Sequence, residues 1–491
     1  MTSHKVDASE KHKSAGPEGA SDSSEIDFEE QKVNESALLR KLDLRLLPSV
    51  TVLYLLSFLD RSNVANARIE GLTTDIGMTP NQYLTGLTLY FIGYVLFEIP
   101  CNIILKKTTP KFWLPTLTIA FGVVATLLGI VQNLGGFFTA RFFLGVVESG
   151  LFPGVVFYLS MWYRRHERQF RVALFFSAAS LSGAFGGILA FGIAKMDGVG
   201  GQEGWRWIFI IEGLVTIVIG ALAYLFIVNY PATAAFLSDA EKRTIEVRLR
   251  EDSDATNHEG FTWANVLTAI KDPKCWLYCA GFHAMSLPLY TLSLFLPTII
   301  TDLGYSRAKA QLLTIPPYAL ATILTVIIAT ISERRKTRAP FLFGTAAVAA
   351  IGYCILLSQR HNPAKRPGVS YLGTFFAAAG IYPSCGLVLS WPAVNVGGQT
   401  KRAVATAMQI SIGNLGAVMG TQLYRAEYKP GNDVGHSVAL GYCLLSMLVT
   451  ALTAFVLTRE NKKREALGVD GVAGGAGGLK GDEDPRWRFI T

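Results

Sequence analysis

Residues 140–171 read ARFFLGVVESGLFPGVVFYLSMWYRRHERQFR. Up to Tyr163 this is an almost unbroken apolar run in which Arg141 and Glu148 are the only charged residues. About 20 apolar residues in a helix cross the hydrocarbon core of a bilayer. Only a helix or a closed barrel crosses without stranding backbone polar groups. The run stops at Arg164, Arg165, Arg168 and Arg171, a basic cluster of the kind that marks the cytoplasmic side. One stretch therefore supplies a membrane span, its inner end, and two charges at a depth where charge is costly.

The pattern recurs along the chain. Spans are expected at 44–66, 82–105, 112–131, 136–162, 170–195, 206–229, 275–300, 309–331, 339–358, 370–392, 403–424 and 435–458. Pro288 and Pro297 in the seventh and Pro316-Pro317 in the eighth predict kinks. The overall hydrophobic content, 50%, would suit a soluble protein, so it is the clustering that carries the reading. The fold class is all-α membrane protein with twelve transmembrane helices.

The formal charge of +8 follows topology. With the N-terminus inside, 27 lysines and arginines in or beside the loops fall on the cytoplasmic side and ten on the other. The positive-inside rule then puts both termini in the cytoplasm. The basic residues track membrane sidedness, which excludes a nucleic-acid-binding reading. No signal peptide precedes the first span. The domain layout is a disordered polar tail over 1–43, a six-helix bundle over 44–230, a charged cytoplasmic linker over 231–274, a second bundle over 275–458, and a tail over 459–491 with a glycine-rich run. Asn34-Glu35-Ser36 matches a glycosylation acceptor by chance, since it lies on the cytoplasmic side. The six cysteines all fall in spans and read as small apolar residues, with no disulfide framework. Cys275 and Cys279 share a helix face, but no metal or cofactor is expected.

The halves echo each other. Basic gaps follow the second and fourth spans of each, and each fifth span carries glycines four apart, Gly183/Gly187 and Gly416/Gly420. Two parallel repeats joined by a cytoplasmic linker suit a transporter that rocks about a central cavity.

Ionisable residues at bilayer depth mark functional sites or buried pairs. Here they are Asp60, Arg61, Glu98, Arg141, Glu148 and Glu212, all in the first half. The second half offers neutral groups: His283, Tyr290, Trp391, Asn395, Gln409 and Asn414. Arg61 either receives an organic anion or pairs with a structural carboxylate. Glu148 either exchanges a proton as access alternates or forms a permanent bridge, for instance to Arg141 seven residues and two turns earlier. Asp60 is the second candidate for proton coupling. Glu98 and Glu212 are read as structural. His283 is a packing residue or a proton or substrate contact. Tyr290 and Trp391 suit a ring-shaped substrate, and Asn395 adds a hydrogen-bonding group.

At these residues the chain resembles the major facilitator superfamily, specifically the fungal anion:cation symporter branch that includes allantoate- and nicotinate-permease-like proteins. The matching strings are LDRSNVANA (59–67), FEIPCNIILKK (97–107), ARFFLGVVESGLFPGVVFYLSMWY (140–163), GWRWIFIIEGL (204–214), TKRAVATAMQISIGNLGAVMGTQLYR (400–425) and Gly435-His436. The resemblance implies two pseudo-symmetric six-helix bundles, no enzymatic step, and proton-coupled uptake of a small organic anion. It implies that Arg61, with Asn63 beside it, contacts the anion, that Arg141 to Gly145 is the Arg-x-x-x-Gly element, and that Glu148 is the coupling glutamate. In the loops that clamp the bundles, this chain departs from the family pattern at Lys106–Lys111 and at Ser332-Glu333-Arg334, so Glu333 and Arg334 are gating candidates. The expected partners are the anion, protons and the lipid bilayer, with the protein a monomer in the plasma membrane. Export of a metabolite and nutrient sensing are the competing readings.

Overall fold

The structure is a computed structural model that describes residues 33–251, 263–429, 431–466, 481–483 and 487–491. The expected disorder of residues 1–32 and of the glycine-rich run lies outside the described residues. Among those described, twelve helices are long and apolar enough to cross a membrane. They are α1 Glu35–Ile69, α2 Pro80–Leu105, α3 Pro110–Leu128, α4 Leu134–Ser160, α5 Phe170–Met196, α6 Gly204–Phe226, α7 Pro273–Asp302, α8 Arg307–Arg335, α9 Ala339–Ser358, α10 Pro367–Asn395, α11 Thr400–Gly420 and α12 Asp433–Ala466.

Local chemistry sets the helix ends. Asn34 caps α1, its side chain accepting from the amides of Ser36 (3.0 Å) and Ala37 (3.2 Å). That cap starts the helix nine residues before the apolar run at 44, so the polar segment 35–43 is helical rather than part of a free tail. Asp43 and Lys41 in that segment pair with Arg171 (2.5 Å) and Glu241 (2.8 Å). Thr79 and Gln82 form a capping box at the start of α2, with Pro80 in the first turn. Pro316 and Pro317 also sit in a first turn, where α8 restarts at Ile315 after a break at Thr314. Prolines are tolerated there because those amides lack helical partners anyway. The linker contributes helices Asp239–Glu251 and Trp263–Lys271.

Packing shows a two-fold logic. Within the first six helices α1 packs on α5, α2 on α4 and α3 on α6. Six positions on, α7 packs on α11, α8 on α10 and α9 on α12. Between the halves α5 packs on α8 and α2 on α11, a pair of contacts that exchanging the halves interconverts, while α1 meets α7. Gly183 and Gly187 lie in the α5–α8 seam: a Cβ on Gly187 would stand 2.5 Å from the Gln311 carbonyl oxygen. Gly416 and Gly420 face His283, Leu287 and Thr291 of α7 instead. The two glycine pairs thus serve different contacts, one between bundles and one within the second bundle.

On the face that carries the start of α1 and the end of α12, a cavity of about 530 Å³ opens between the bundles. Glu35, Arg164, Glu167 and Arg171 line it from the first half, Glu333 and Arg334 from the second. Arg248 of the linker pairs with Glu167 and lies 3.5 Å from Glu35. Arg338 pairs with Glu333 at 3.0 Å; burial pulls its guanidinium down to about 10 against the pull of that glutamate. Lys401 bridges Asp272 (2.8 Å) and Asp482 (2.8 Å). Burial would raise the Asp272 carboxyl, but the Lys401 hydrogen bond and the Lys274 charge outweigh it and hold it below the usual carboxylate range.

Candidate functional site

Helix α1 presents Ser57, Phe58 and Arg61 on one face, as the i, i+4 spacing of Ser57 and Arg61 requires. Helix α2 presents Tyr90 and Tyr94 by the same spacing, α4 presents Glu148, and α7 brings Tyr290 from the second half. A Cβ on Gly145 of α4 would overlap the Tyr90 carbonyl oxygen, so this glycine lets α2 and α4 close enough for Tyr90 and Glu148 to meet.

Four donor atoms from three side chains converge on a single oxygen. Glu148 Oε2 accepts from Arg61 Nη2 (2.9 Å) and Nε (3.3 Å), from Tyr90 Oη (2.7 Å) and from Ser57 Oγ (3.1 Å). Glu148 Oε1 is buried with no hydrogen-bond partner. The Arg61 guanidinium lies over four rings, with centroid distances of 5.1 Å to Phe58, 5.3 Å to Tyr90, 5.4 Å to Tyr94 and 5.6 Å to Tyr290. Its Nη1 donates to Tyr290 Oη at 3.0 Å. The side chains of Arg61 and Glu148 are 3% and 0% exposed, so this conformation encloses the pair.

The other candidates take separate positions. Arg141 is not the partner of Glu148. It is fully buried, lies 4.9 Å from the Tyr90 ring centroid as a cation–π contact, and none of its guanidinium nitrogens has a hydrogen-bond partner. Asn63 does not stand in the arginine site: its amide donates to Glu212 Oε2 of α6 at 2.5 Å. Two residue steps of about 100° each turn Asn63 roughly 200° away from Arg61 around the helix, so residues close together in a motif face different partners. Asp60 is buried, and neither of its oxygens has a hydrogen-bond partner. Glu98 accepts from Ser411 Oγ of α11 at 3.1 Å, a contact between the halves. His283 is held between α11 and α12, with Nδ1 3.0 Å from the Ile412 carbonyl and Nε2 3.3 Å from Tyr442 Oη. Trp391 and Asn395 do not face the arginine site either; both donate to the Ile490 carbonyl, at 2.9 and 2.8 Å. Cys275 and Cys279 are buried free thiols, and no group of three or more His, Cys, Asp or Glu that could hold a metal ion occurs among the described residues.

Ser57, Phe58, Tyr90 and Tyr94 complete the site and are not among the residues that stand out in the sequence. Their signal was the repeated i, i+4 spacing of polar or aromatic groups on helices that also bear the charges. In apolar helices aromatic residues are too common for that spacing to single them out.

Comparison with known proteins places this architecture. The model of the Major Facilitator Superfamily matches residues 50–421. The chain is 37% identical to the MFS-type transporter cnsO of Penicillium expansum over 92% of its own length and 90% of that protein. It is 33% identical to the high-affinity nicotinic acid transporter of Saccharomyces cerevisiae, over 88% of this chain and 80% of that one. The crystal structure of a bacterial homolog of the human lysosomal transporter Spinster has the same fold, with a TM-score of 0.62, 15% identity, and coverage of 83% of this chain and 95% of that one. The chain belongs to the major facilitator superfamily. It is an integral, multi-pass membrane transporter of two six-helix bundles.

Proposed function

We propose that the protein is a proton-coupled symporter that brings a small organic anion into the cell by alternating access. Arg61 is the anion contact and Glu148 the group that exchanges the proton. The observation that carries this reading is the one-sided Glu148: every donor sits on Oε2, the cation among them is Arg61, and Oε1 stays without a partner.

The pair neutralises itself in the enclosed state. A proton on Glu148 removes the counter-charge of Arg61, and an uncompensated buried charge costs on the order of 3–5 kcal/mol. An incoming carboxylate restores the balance, and the planar guanidinium suits it bidentately. Proton and anion therefore enter together. The site carries no net charge when empty (Arg61 with ionised Glu148) or when loaded (Arg61 with anion, Glu148 protonated), so both forms cross without transporting charge. Asp60, buried next to Arg61 in sequence and without hydrogen-bond partners, is the second group placed to take a proton.

The rings of Phe58, Tyr90, Tyr94 and Tyr290 around Arg61 favour a planar aromatic carboxylate. The yeast relative named as a nicotinic acid transporter supports that class, nicotinic acid being an aromatic carboxylate. On the positive-inside distribution both chain ends are cytoplasmic, and we place the protein in the plasma membrane as a monomer. The test is uptake of labelled nicotinate by cells that lack their own carrier. Uptake should rise as external pH falls and collapse with a protonophore; nicotinate uptake indifferent to both removes proton symport.

A further inference from the structure

Residues 481–483 and 487–491 fold back onto the face where α12 ends. Arg464, in the last turn of α12, donates from Nη2 to the Asp482 carbonyl (2.8 Å) and from Nη1 to the Trp487 carbonyl (3.1 Å). The chain thus returns to the place it left, and closing such a loop in one molecule gives a high effective concentration. The Asp482 carboxylate, 2% exposed, accepts from Lys401 Nζ (2.8 Å) and the Gly397 amide (3.2 Å).

Beyond it, two asparagines grip successive residues of backbone. Asn461 of α12 accepts from the Phe489 amide and donates to the Phe489 carbonyl, both at 2.9 Å. Asn395 of α10 does the same for Ile490, both at 2.8 Å, and Trp391 Nε1 adds a third bond to the Ile490 carbonyl. The Arg338 amide, between α8 and α9, donates to the Thr491 carbonyl at 2.5 Å. The Phe489 ring is buried under Arg464 (4.5 Å) and near Lys274 Nζ (5.4 Å).

An amide side chain that both donates to and accepts from one residue's backbone is a reader of extended peptide, as a sheet edge is. Two of them, spaced to take the adjacent residues Phe489 and Ile490 while the Phe489 ring is buried, make a peptide-binding site. We propose that the second bundle carries a peptide-binding site formed by Asn395, Trp391, Asn461, Arg464 and the Arg338 amide, whose resident ligand is the chain's own segment 487–491. In the seated state the segment ties the ends of α10 and α12 to the α8–α9 turn, and it occupies the polar groups of Trp391 and Asn395. Seating therefore restrains the second bundle at the face where it must move for access to alternate, and release of the segment is a point of control. The inference stands apart from the substrate and from proton coupling.

The test uses a fluorescein-labelled peptide of residues 481–491 and two purified proteins, the full chain and a chain stopped after Lys480. The peptide should bind the shortened chain saturably and the full chain at least about tenfold more weakly, since one backbone hydrogen bond is already worth up to a factor of about ten. Equal binding to both, or no binding to a shortened chain that still elutes as a single folded species, overturns the proposal. Should the shortened chain not fold, hydrogen exchange in the full chain decides. The Phe489 and Ile490 amides should exchange about tenfold or more slowly, and N395A/N461A should abolish that protection. Fast exchange at both amides in the unsubstituted chain also refutes it.

Discussion

Arg61 Nη1 donates to Tyr290 Oη at 3.0 Å across the seam between the bundles, so the cation that pairs with Glu148 in the first bundle is also tied to the second. On the proposed function, anion binding at Arg61 and closure of the bundles are thereby physically joined.

Tyr290→Phe keeps the ring and removes that bond. A hydrogen bond to a charged group is worth about 1.5–3 kcal/mol, so the enclosed state loses at least a tenfold preference. A cysteine placed at Phe91, whose ring lies 4.8 Å from that of Tyr290, should label at least about tenfold faster in the Tyr290→Phe background. Unchanged labelling disproves the tie.

Arg61→Ala should abolish anion uptake while the protein still reaches the membrane, and Arg61→Lys should not restore it. A lysine presents a point charge in place of the guanidinium fork. Uptake of labelled nicotinate, measured beside the amount of protein in the membrane fraction, checks both. Normal uptake in Arg61→Ala refutes the anion contact.

Glu148→Gln fixes the site in the form that the proton would otherwise create. Nicotinate binding and exchange of labelled for unlabelled nicotinate should survive. Accumulation against a gradient and the rise of uptake with falling pH should be lost. A Glu148→Gln carrier that still concentrates nicotinate with a normal pH slope removes Glu148 from coupling.

Asn63→Leu should act on stability and leave coupling alone. It takes the hydrogen bond from Glu212 Oε2, and Glu212 Oε1 already has no partner. A buried polar group left unsatisfied costs about 1–3 kcal/mol. Thermal unfolding in detergent should shift downward, with the pH profile of uptake unchanged; a shifted pH profile places Asn63 in the transport step.

Gly187→Val should block closure of α5 on α8, since the new side chain meets the Gln311 carbonyl and Thr314. Uptake should fall by about five- to 150-fold, in line with overpacking costs of about 1–3 kcal/mol in the closed state. Gly441→Val is the control, because a Cβ there meets nothing within 4 Å. Equal uptake in the two variants shows that the seam tolerates bulk.

The membrane helices were legible because length and hydrophobicity are local properties. The seventh span, expected at 275–300, runs Pro273–Asp302, and the sixth, expected at 206–229, runs Gly204–Phe226. The first helix escaped at its start because a single cap at Asn34 and pairs such as Asp43 with Arg171 stabilise residues that composition marks as tail. At the site, Arg61 and Glu148 stood out as charges in apolar runs. Their partnership did not, because it joins α1 to α4 and depends on helix rotation; Arg141 lay nearer in sequence and is not the partner. Trp391 and Asn395 had the right chemistry for a pocket, yet they hold a segment almost a hundred residues further along. Pairings at such separation leave no spacing rule to read.

The ring cage is shared between the bundles. Of the four rings around Arg61, three come from the first bundle and one, Tyr290, from the second. The charged pair sits wholly in the first bundle. If Arg61 and Glu148 carry binding and coupling as proposed, a change at Tyr290 alters the wall of the cage while the ion pair itself stays intact.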